Sequence, residues 1–235
     1  MAGHTHFDES TEEYLEAIYR LDREGPGVTT SGLAADLGVA PASVSGMLKK
    51  LAAGGYLAYV ARGEAKLTER GLSVAVRVMR RHRLAECFLT TILGMPWDEV
   101  NEEACRLEHA ISARVEERLV AVLGNPKFCP HGLPIPPADL SEPERIDRKL
   151  ADVDAGAKVR IVDVAEDVPE MLRFLDEIGV RPGAAVDIIS RGPLGGPLTL
   201  TGPSGRHAIS LELARLISVD FGETSEPSET SLRSA

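Results

Sequence analysis

The amino-acid sequence predicts an α+β protein with three modules: an N-terminal winged helix-turn-helix, an all-α layer and a small, partly open β-barrel. Three observations lead to this prediction. Helix-type periodicity is followed by two short strand-like runs within residues 1–74, two long helix-type segments occupy 75–140, and β-branched runs separated by Gly and Pro dominate 154–220. A chain of 235 residues has room for two or three such modules.

Composition and charge exclude several classes of protein. No apolar stretch approaches the roughly 20 residues of a membrane span, and the N-terminus lacks the basic and apolar regions of a signal peptide, so we expect a cytoplasmic protein without membrane contact. Three irregularly spaced cysteines predict reduced thiols rather than a disulfide framework. The formal net charge of −10 disfavours a general polyanion binder, so any DNA contact requires a local basic patch.

The order of elements at the N-terminus is typical of a winged helix. A capping-box pattern that begins at Ser10 predicts a first helix that stops before Pro26. Thr30 is predicted to cap a short second helix, and Pro41 suits the first turn of a third. The run 56–67 then reads as strand, turn and strand.

The rest of the chain divides at changes of pattern. A long helix is predicted from Thr68 to about Gly94 and a further one from about 98 to 123, followed by a Pro-rich segment and then the barrel with one helix at 169–177. We therefore predict the winged helix in 1–74, the α-helical layer in 75–140, a linker in 141–153, the barrel in 154–220 and a disordered tail in 221–235.

The helix after Pro41 has the residue types that a DNA-reading helix needs. Its start is small and hydroxylated, which allows close approach to a major groove, and between residues 49 and 70 Lys and Arg exceed Asp and Glu by three. The expected contacts are mostly with phosphates, so specificity depends on DNA shape and half-site spacing. A winged helix that binds protein instead is the alternative. The predicted DNA-contacting residues are Thr30, Pro41, Ala42, Ser43, Ser45, Lys49, Lys50 and Arg62.

Two predicted helices carry metal-ligand residue types at helical spacing. His82 and Glu86 share one helix face, and Cys105, Glu108 and His109 share another. A thiolate, carboxylates and imidazoles together suit Fe²⁺, Co²⁺, Ni²⁺ or Zn²⁺, with Mn²⁺ favoured as carboxylates accumulate. Taken singly, each residue also fits an ordinary solvated ion pair or a core cysteine.

Glu13 has two interpretations. It can complete the capping box with Ser10, or it can bind a metal. In the second case Glu13 links the DNA-reading module to the metal-binding layer, so that metal binding and DNA binding become thermodynamically coupled.

Four ungapped runs, at 11–19, 81–86, 103–109 and 130–136, resemble the diphtheria-toxin-repressor family of iron- and manganese-dependent regulators. Residues 150–220 resemble more loosely the SH3-like, ferrous-transport-protein-A type domain that many members carry. The resemblance implies a homodimeric repressor, not an enzyme, in which Fe²⁺ or Mn²⁺ drives binding to double-stranded operator DNA of metal-uptake genes. Co²⁺, Ni²⁺ and Zn²⁺ are expected to substitute in vitro.

The resemblance also implies two metal sites. The primary site maps onto Glu13, Cys105, Glu108 and His109, with Glu16 as an additional or alternative carboxylate. The ancillary site maps onto His82 and Glu86, with Glu166 and Glu170 of the SH3-like domain as candidate donors.

Two departures from the family pattern leave the choice of metal open. The iron branch has methionine where this chain has Glu13, and the manganese branch usually has a carboxylate where this chain has Cys105. The ancillary histidine of the iron branch is replaced by Asn101, for which Glu102 or Glu103 could compensate.

Two other classes of function remain as alternatives. A cation held between helices could activate water in a metalloenzyme, although no second catalytic constellation accompanies it. A winged-helix regulator that does not respond to metal is the other. Cys129 and His131 lie in the Pro-rich segment without a third partner and are interpreted as structural.

Overall fold

The computed structural model describes residues 8–25, 27–59, 64–144, 148–165 and 168–221. The chain divides into two compact units, one formed by residues 1–129 and 134–144 and the other by 130–133 and 145–235. Within the described residues, no helix is long and apolar enough to cross a membrane.

Helix α1 spans Glu9–Glu24 and starts earlier than the sequence predicts. Its N-cap is Asp8, whose carboxylate accepts a hydrogen bond of 2.7 Å from the backbone N–H of Thr11. The predicted capping box at Ser10 is therefore wrong, because an anionic carboxylate two residues upstream already satisfies the exposed N–H groups and the helix dipole. Glu13 lies beyond the first turn and is not needed as a capping partner.

The winged helix-turn-helix is formed in the predicted order. Thr29, not Thr30, caps the second helix by accepting a hydrogen bond from Gly32 N–H, and Pro41 occupies the first turn of the third. The two strands of the wing pair antiparallel, with Leu57 opposite Leu67. The elements are α2 (Thr30–Asp36), α3 (Pro41–Ala53), β1 (Leu57–Tyr59) and β2 (Ala65–Leu67).

The α-helical layer contains α4 (Glu69–Thr91), α5 (Val100–Glu108) and α6 (Ala113–Val122). The prediction of one helix over 98–123 is wrong. Helix α5 ends with His109 as its C-cap, and Ser112 caps α6 by accepting a hydrogen bond from Val115 N–H. An N-cap residue adopts extended backbone, so Ser112 interrupts the helix and leaves His109 at a turn.

One apolar core fixes the orientation of α3. Its fully or almost fully buried side chains come from α1 to α4 and include Leu15, Ile18, Leu33, Val44, Leu48, Leu51 and Val76. With Val44, Leu48 and Leu51 inside, the helical period directs residues 42, 43, 46, 49 and 50 outward, where they are exposed.

The C-terminal unit contains β3 (Lys158–Val164), α7 (Pro169–Glu177), β4 (Ala185–Arg191), β5 (Leu198–Gly202), β6 (Gly205–Ile209), α8 (Leu211–Arg215) and β7 (Ile217–Asp220). Its strands form a small five-stranded antiparallel sheet in the order β6-β5-β4-β3-β7, as expected for the SH3-like barrel. Helix α7 has the predicted bounds, whereas β6, α8 and β7 were not individually predicted. The predicted disordered tail lies outside the described residues from 222 onward.

Candidate metal centre and nucleic-acid interface

Four glutamates in the first two turns of α1 form pairs that are three or four residues apart: Glu9, Glu12, Glu13 and Glu16. This spacing places them on one face of the helix. Glu9 and Glu13 are exposed, Glu16 is half-buried and Glu12 is buried. Glu9 and Glu12 were not among the predicted site residues, although the spacing in the sequence was sufficient to find them.

One cluster of donor groups joins α1, α4 and α5. Donor atoms of Glu16, His82 and Glu108 lie within 4.8 Å of one another. Oε2 of Glu108 is 2.6 Å from Nδ1 of His82, and Sγ of Cys105 is 3.9 Å from the same nitrogen. His82 and Glu108 are almost fully buried, whereas Cys105 is exposed. The cluster thus combines members of the predicted primary and ancillary sites.

A second cluster lies beside the first. Donor atoms of Glu9, Glu13 and His109 lie within 4.8 Å of one another. Nε2 of His109 is 3.2 Å from Oε1 of Glu108, the other oxygen of the carboxylate that contacts His82. Glu108 therefore stands between the two clusters, with one oxygen toward each.

Glu86 contacts the opposite side of the His82 ring. Its Oε1 lies 3.6 Å from Nε2 of His82, and its side chain is fully buried. The predicted pairing of His82 with Glu86 on one face of α4 is present in the structure. His82 consequently has Glu86 on one ring nitrogen and Glu108 on the other.

The environment of His82 favours its protonated form. Burial by itself lowers the pKa of His82, but the close contacts with Cys105 and Glu108 and the negative charge of Glu86 outweigh burial and raise the pKa well above its usual value. A cation binds the neutral imidazole, so it has to displace this proton. Metal binding at His82 therefore weakens as pH falls.

The pKa of His109 is shifted in the same direction as that of His82. Burial lowers its pKa, and the hydrogen bond with Glu12 together with the nearby charge of Glu108 more than compensates, so the pKa is raised. Cys87 differs from both histidines, because burial, with a smaller effect of the Glu86 charge, raises the pKa of its thiol to about 12. Cys87 is therefore a core thiol rather than a donor.

The remaining predicted donors lie in other environments. Glu102 and Glu103, the acids considered as compensation for Asn101, both pair with Arg106, and Oε1 of Glu103 lies 2.6 Å from its guanidinium. Glu170 is an exposed residue of α7 in the C-terminal unit, 3.4 Å from Arg173. The prediction for Glu166 lies outside the described residues.

The donor set fits a divalent first-row cation. Carboxylates predominate, two imidazoles accompany them, and one thiol lies at the edge. Oxygen-rich sets suit Mn²⁺, whereas imidazole and thiolate donors also suit Fe²⁺ and Zn²⁺. Several carboxylates held this close to one another repel unless a cation or protons offset their charge.

Helix α3 presents the predicted DNA-contacting residues on an open surface. Pro41, Ala42 and Ser43 are exposed at its first turn, and the half-buried Ser45 donates a hydrogen bond of 3.0 Å to the carbonyl of Pro41. At Gly46 a Cβ atom would meet nothing within 4 Å, so the middle of this face is unobstructed too. A duplex backbone can approach the first two turns of α3 closely.

The two predicted lysines extend this surface toward the end of α3. Lys49 and Lys50 are exposed, and Nζ of Lys50 lies 2.9 Å from Oδ2 of Asp8, the N-cap of α1. Hydrogen bonds with Thr11 and Lys50 lower the pKa of Asp8 to about 2. Thr30 is half-buried at the start of α2, and Arg62 lies outside the described residues.

Comparison with known proteins identifies the domains of this chain. Models of the N-terminal DNA-binding domain of iron-dependent repressors, of their metal-binding and dimerisation domain, and of the FeoA domain match residues 6–65, 68–137 and 148–220. The iron-dependent repressor IdeR of Mycobacterium tuberculosis is 36% identical over 226 residues, which cover 90% of this chain and 97% of that protein. The chain belongs to the iron-dependent repressor family.

Further similar proteins agree with this family assignment. The diphtheria toxin repressor of Corynebacterium diphtheriae is 34% identical over 194 residues, covering 78% of this chain and 85% of that protein. A solved manganese-dependent transcriptional repressor in complex with manganese superposes with a TM-score of 0.84 at 33% identity, covering 89% of this chain and 98% of that one. Because the family consists of DNA-binding transcriptional repressors, the metalloenzyme alternative is excluded.

Proposed function

We propose that this repressor binds operator DNA as a homodimer in the cytoplasm when Fe²⁺ or Mn²⁺ occupies the centre formed by α1, α4 and α5, and that it controls genes of metal homeostasis. The observation that carries the proposal is the position of Glu108. Its two carboxylate oxygens contact His82 and His109, and the acidic face of α1 lies against both histidines. One cation at this carboxylate can therefore join all three helices.

Charge explains why the cation acts as a switch. The carboxylates of α1 and Glu108 outnumber the imidazoles around them, so α1 is held less firmly when no cation offsets their repulsion. The opposite face of α1 packs in the core that orients α3. A cation that fixes α1 against α5 thus favours one orientation of the DNA-reading helix, which couples the two binding equilibria.

The structure also supports a revised division of the ligands. We assign His82 to the same centre as Glu108 and Glu16, because its Nδ1 lies 2.6 Å from Glu108. Glu86 then orients the ring from the other nitrogen, as acids behind metal-bound histidines commonly do. Glu13, Cys105 and His109 remain proposed ligands. The domain bounds predicted from the sequence are also part of the proposal.

The test is a metal titration of DNA binding. The full-length protein, kept anaerobic, is titrated with Fe²⁺, Mn²⁺, Co²⁺ and Zn²⁺ against duplex DNA selected from a random-sequence pool in the presence of Mn²⁺. A coupling of 1–3 kcal/mol, typical of allosteric proteins, corresponds to DNA binding about 5- to 150-fold tighter with the activating metal than with chelator. Equal affinity with chelator and with every metal contradicts the proposal.

Helix α6 is the proposed contact with the second protomer. It carries apolar side chains but buries none of its residues within the described chain. Together with Phe88 of α4, the apolar side chains of Val115, Leu119 and Val122 line a groove of about 340 Å³, which Arg114 and Arg118 also border. An amphipathic helix whose apolar face is exposed needs a partner surface, and α6 lies within residues 68–137, which match the metal-binding and dimerisation domain of iron-dependent repressors.

Val122→Arg is expected to dissociate the dimer. Val122 is 64% exposed, so the substitution leaves the core intact but places an unpaired charge in the proposed apolar interface. Such a charge costs several kcal/mol, which weakens dimerisation by more than about 100-fold. Sedimentation equilibrium measures the effect, and Ile189→Arg, at an exposed apolar position of β4, is the matched control. A dimer of unchanged stability would rule out α6 as the interface.

A further inference from the structure

Glu12 is the most buried of the four glutamates that form the acidic face of α1, although it is not one of the predicted ligands. Its Oε2 lies 2.8 Å from Nδ1 of His109, and both side chains are 10% exposed. Withdrawing a carboxylate from water costs free energy unless the group is paired. The contact with His109 therefore compensates a specific burial of Glu12 and differs from a solvated surface pair.

The two nitrogens of the His109 ring face different groups. Nδ1 faces Glu12, whereas Nε2 lies 3.2 Å from Oε1 of Glu108, the carboxylate between the two donor clusters. In a neutral ring one nitrogen carries the proton and the other a lone pair. With the proton on Nδ1, the ring donates to Glu12 and its lone pair on Nε2 points toward Glu108.

We propose that Glu12 is a positioning residue of the metal centre. It accepts a hydrogen bond from Nδ1–H of His109, fixes the tautomer and the ring orientation, and holds Nε2 toward the cation beside Glu108. Carboxylates in this outer position orient metal-bound histidines and increase their basicity. The inference rests on the metal centre proposed above.

Glu12 lies in the part of α1 that contacts two other helices. Four residues earlier, Asp8 pairs with Lys50 of α3, so the first turns of α1 touch both the DNA-reading helix and the end of α5. The exposed Asp8–Lys50 pair contributes little stability. The buried pair of Glu12 and His109 is the stronger of these two attachments, and it holds α1 where the cation is received.

The test compares Glu12→Ala and Glu12→Gln with the wild type in the full-length protein. Co²⁺ is titrated by its visible absorption, and thermal unfolding in the presence of chelator checks the fold. We expect Glu12→Ala to lower Co²⁺ affinity by about 10- to 100-fold and to change the absorption spectrum. Glu12→Gln recovers part of the affinity, because its amide oxygen still accepts from Nδ1–H. Asp22→Ala, an exposed acid on the same helix, is the control for net charge.

A double-mutant cycle separates positioning from direct ligation. If Glu12 acts through His109, then Glu12→Ala has no further effect on Co²⁺ affinity in the His109→Ala background. The same loss in both backgrounds overturns the proposal, and so does wild-type affinity with an unchanged spectrum in Glu12→Ala. If Glu12→Ala does not fold, the isosteric Glu12→Gln is measured instead, with Asp22→Asn as its control. A Co²⁺ affinity below that of the wild type then supports the proposal, and wild-type affinity overturns it. A wild type that binds no Co²⁺, Mn²⁺ or Fe²⁺ contradicts the proposed function itself, and with it this inference.

Discussion

Replacing Glu108 by glutamine is expected to abolish metal-activated DNA binding. Glu108 is 1% exposed, and its two oxygens contact His82 at 2.6 Å and His109 at 3.2 Å. The amide keeps the shape of the side chain but removes the negative charge that attracts a cation. Since loss of an outer partner already costs 10- to 100-fold in metal affinity, loss of this central carboxylate should cost more than about 100-fold.

The measurement is Mn²⁺ affinity by calorimetry, followed by DNA binding as a function of Mn²⁺. Glu102→Gln is the matched control, because Glu102 is an exposed glutamate of the same helix that pairs with Arg106. This control should behave as wild type. A Glu108→Gln protein that folds and retains the wild-type metal response would show that the cation binds elsewhere.

The double substitution Lys49→Ala, Lys50→Ala is expected to weaken DNA binding regardless of sequence. Both lysines are exposed at the end of α3, and they contribute to the local positive excess of an acidic protein. Lys50 is held by Asp8 in an exposed pair, which a phosphate can replace at small cost. Each protomer of the dimer loses two phosphate contacts, four in all, which makes the salt slope of log K less negative by about 4 and lowers the affinity at 0.15 M salt roughly 100- to 900-fold.

The Mn²⁺-loaded protein is measured by fluorescence anisotropy across a series of salt concentrations. Lys127→Ala with Lys158→Ala is the control, since it removes the same charge from exposed positions outside the helix-turn-helix. If this control lowers affinity and slope as much as the α3 variant does, the effect comes from net charge and not from contacts of α3. An unchanged slope in the α3 variant contradicts the proposed phosphate contacts.

Local signals made the DNA-binding module predictable. Pro41 and the glycines mark element ends, and the apolar period of α3 assigns its inner and outer faces without knowledge of the partner helices. Helix α7 was predicted to the residue for the same reason, because Pro169 opens it and its apolar period is clear. Such features depend on a few neighbouring residues, which the sequence displays directly.

Helix ends were predicted less well where two local signals compete. Ser10 and Asp8 are both acceptable caps, and the structure uses the charged one. The break between α5 and α6 was missed because apolar periodicity continues across it, while a single side chain, Ser112, ends the helical hydrogen bonding. These differences move His109 from a helix interior to a turn.

The order of modules and the helix faces shared by candidate metal ligands are readable from the chain, since they depend on local patterns and helical spacing. Which helix faces contact one another depends on packing between distant segments, which spacing along the chain does not reveal. Packing of α4 against α5 and α1 brings His82 to Glu108 across 26 residues and His109 to Glu12 across 97 residues. The metal response depends on these contacts between helices. Carboxylates on separate helices repel one another, and a cation that they share makes their proximity favourable.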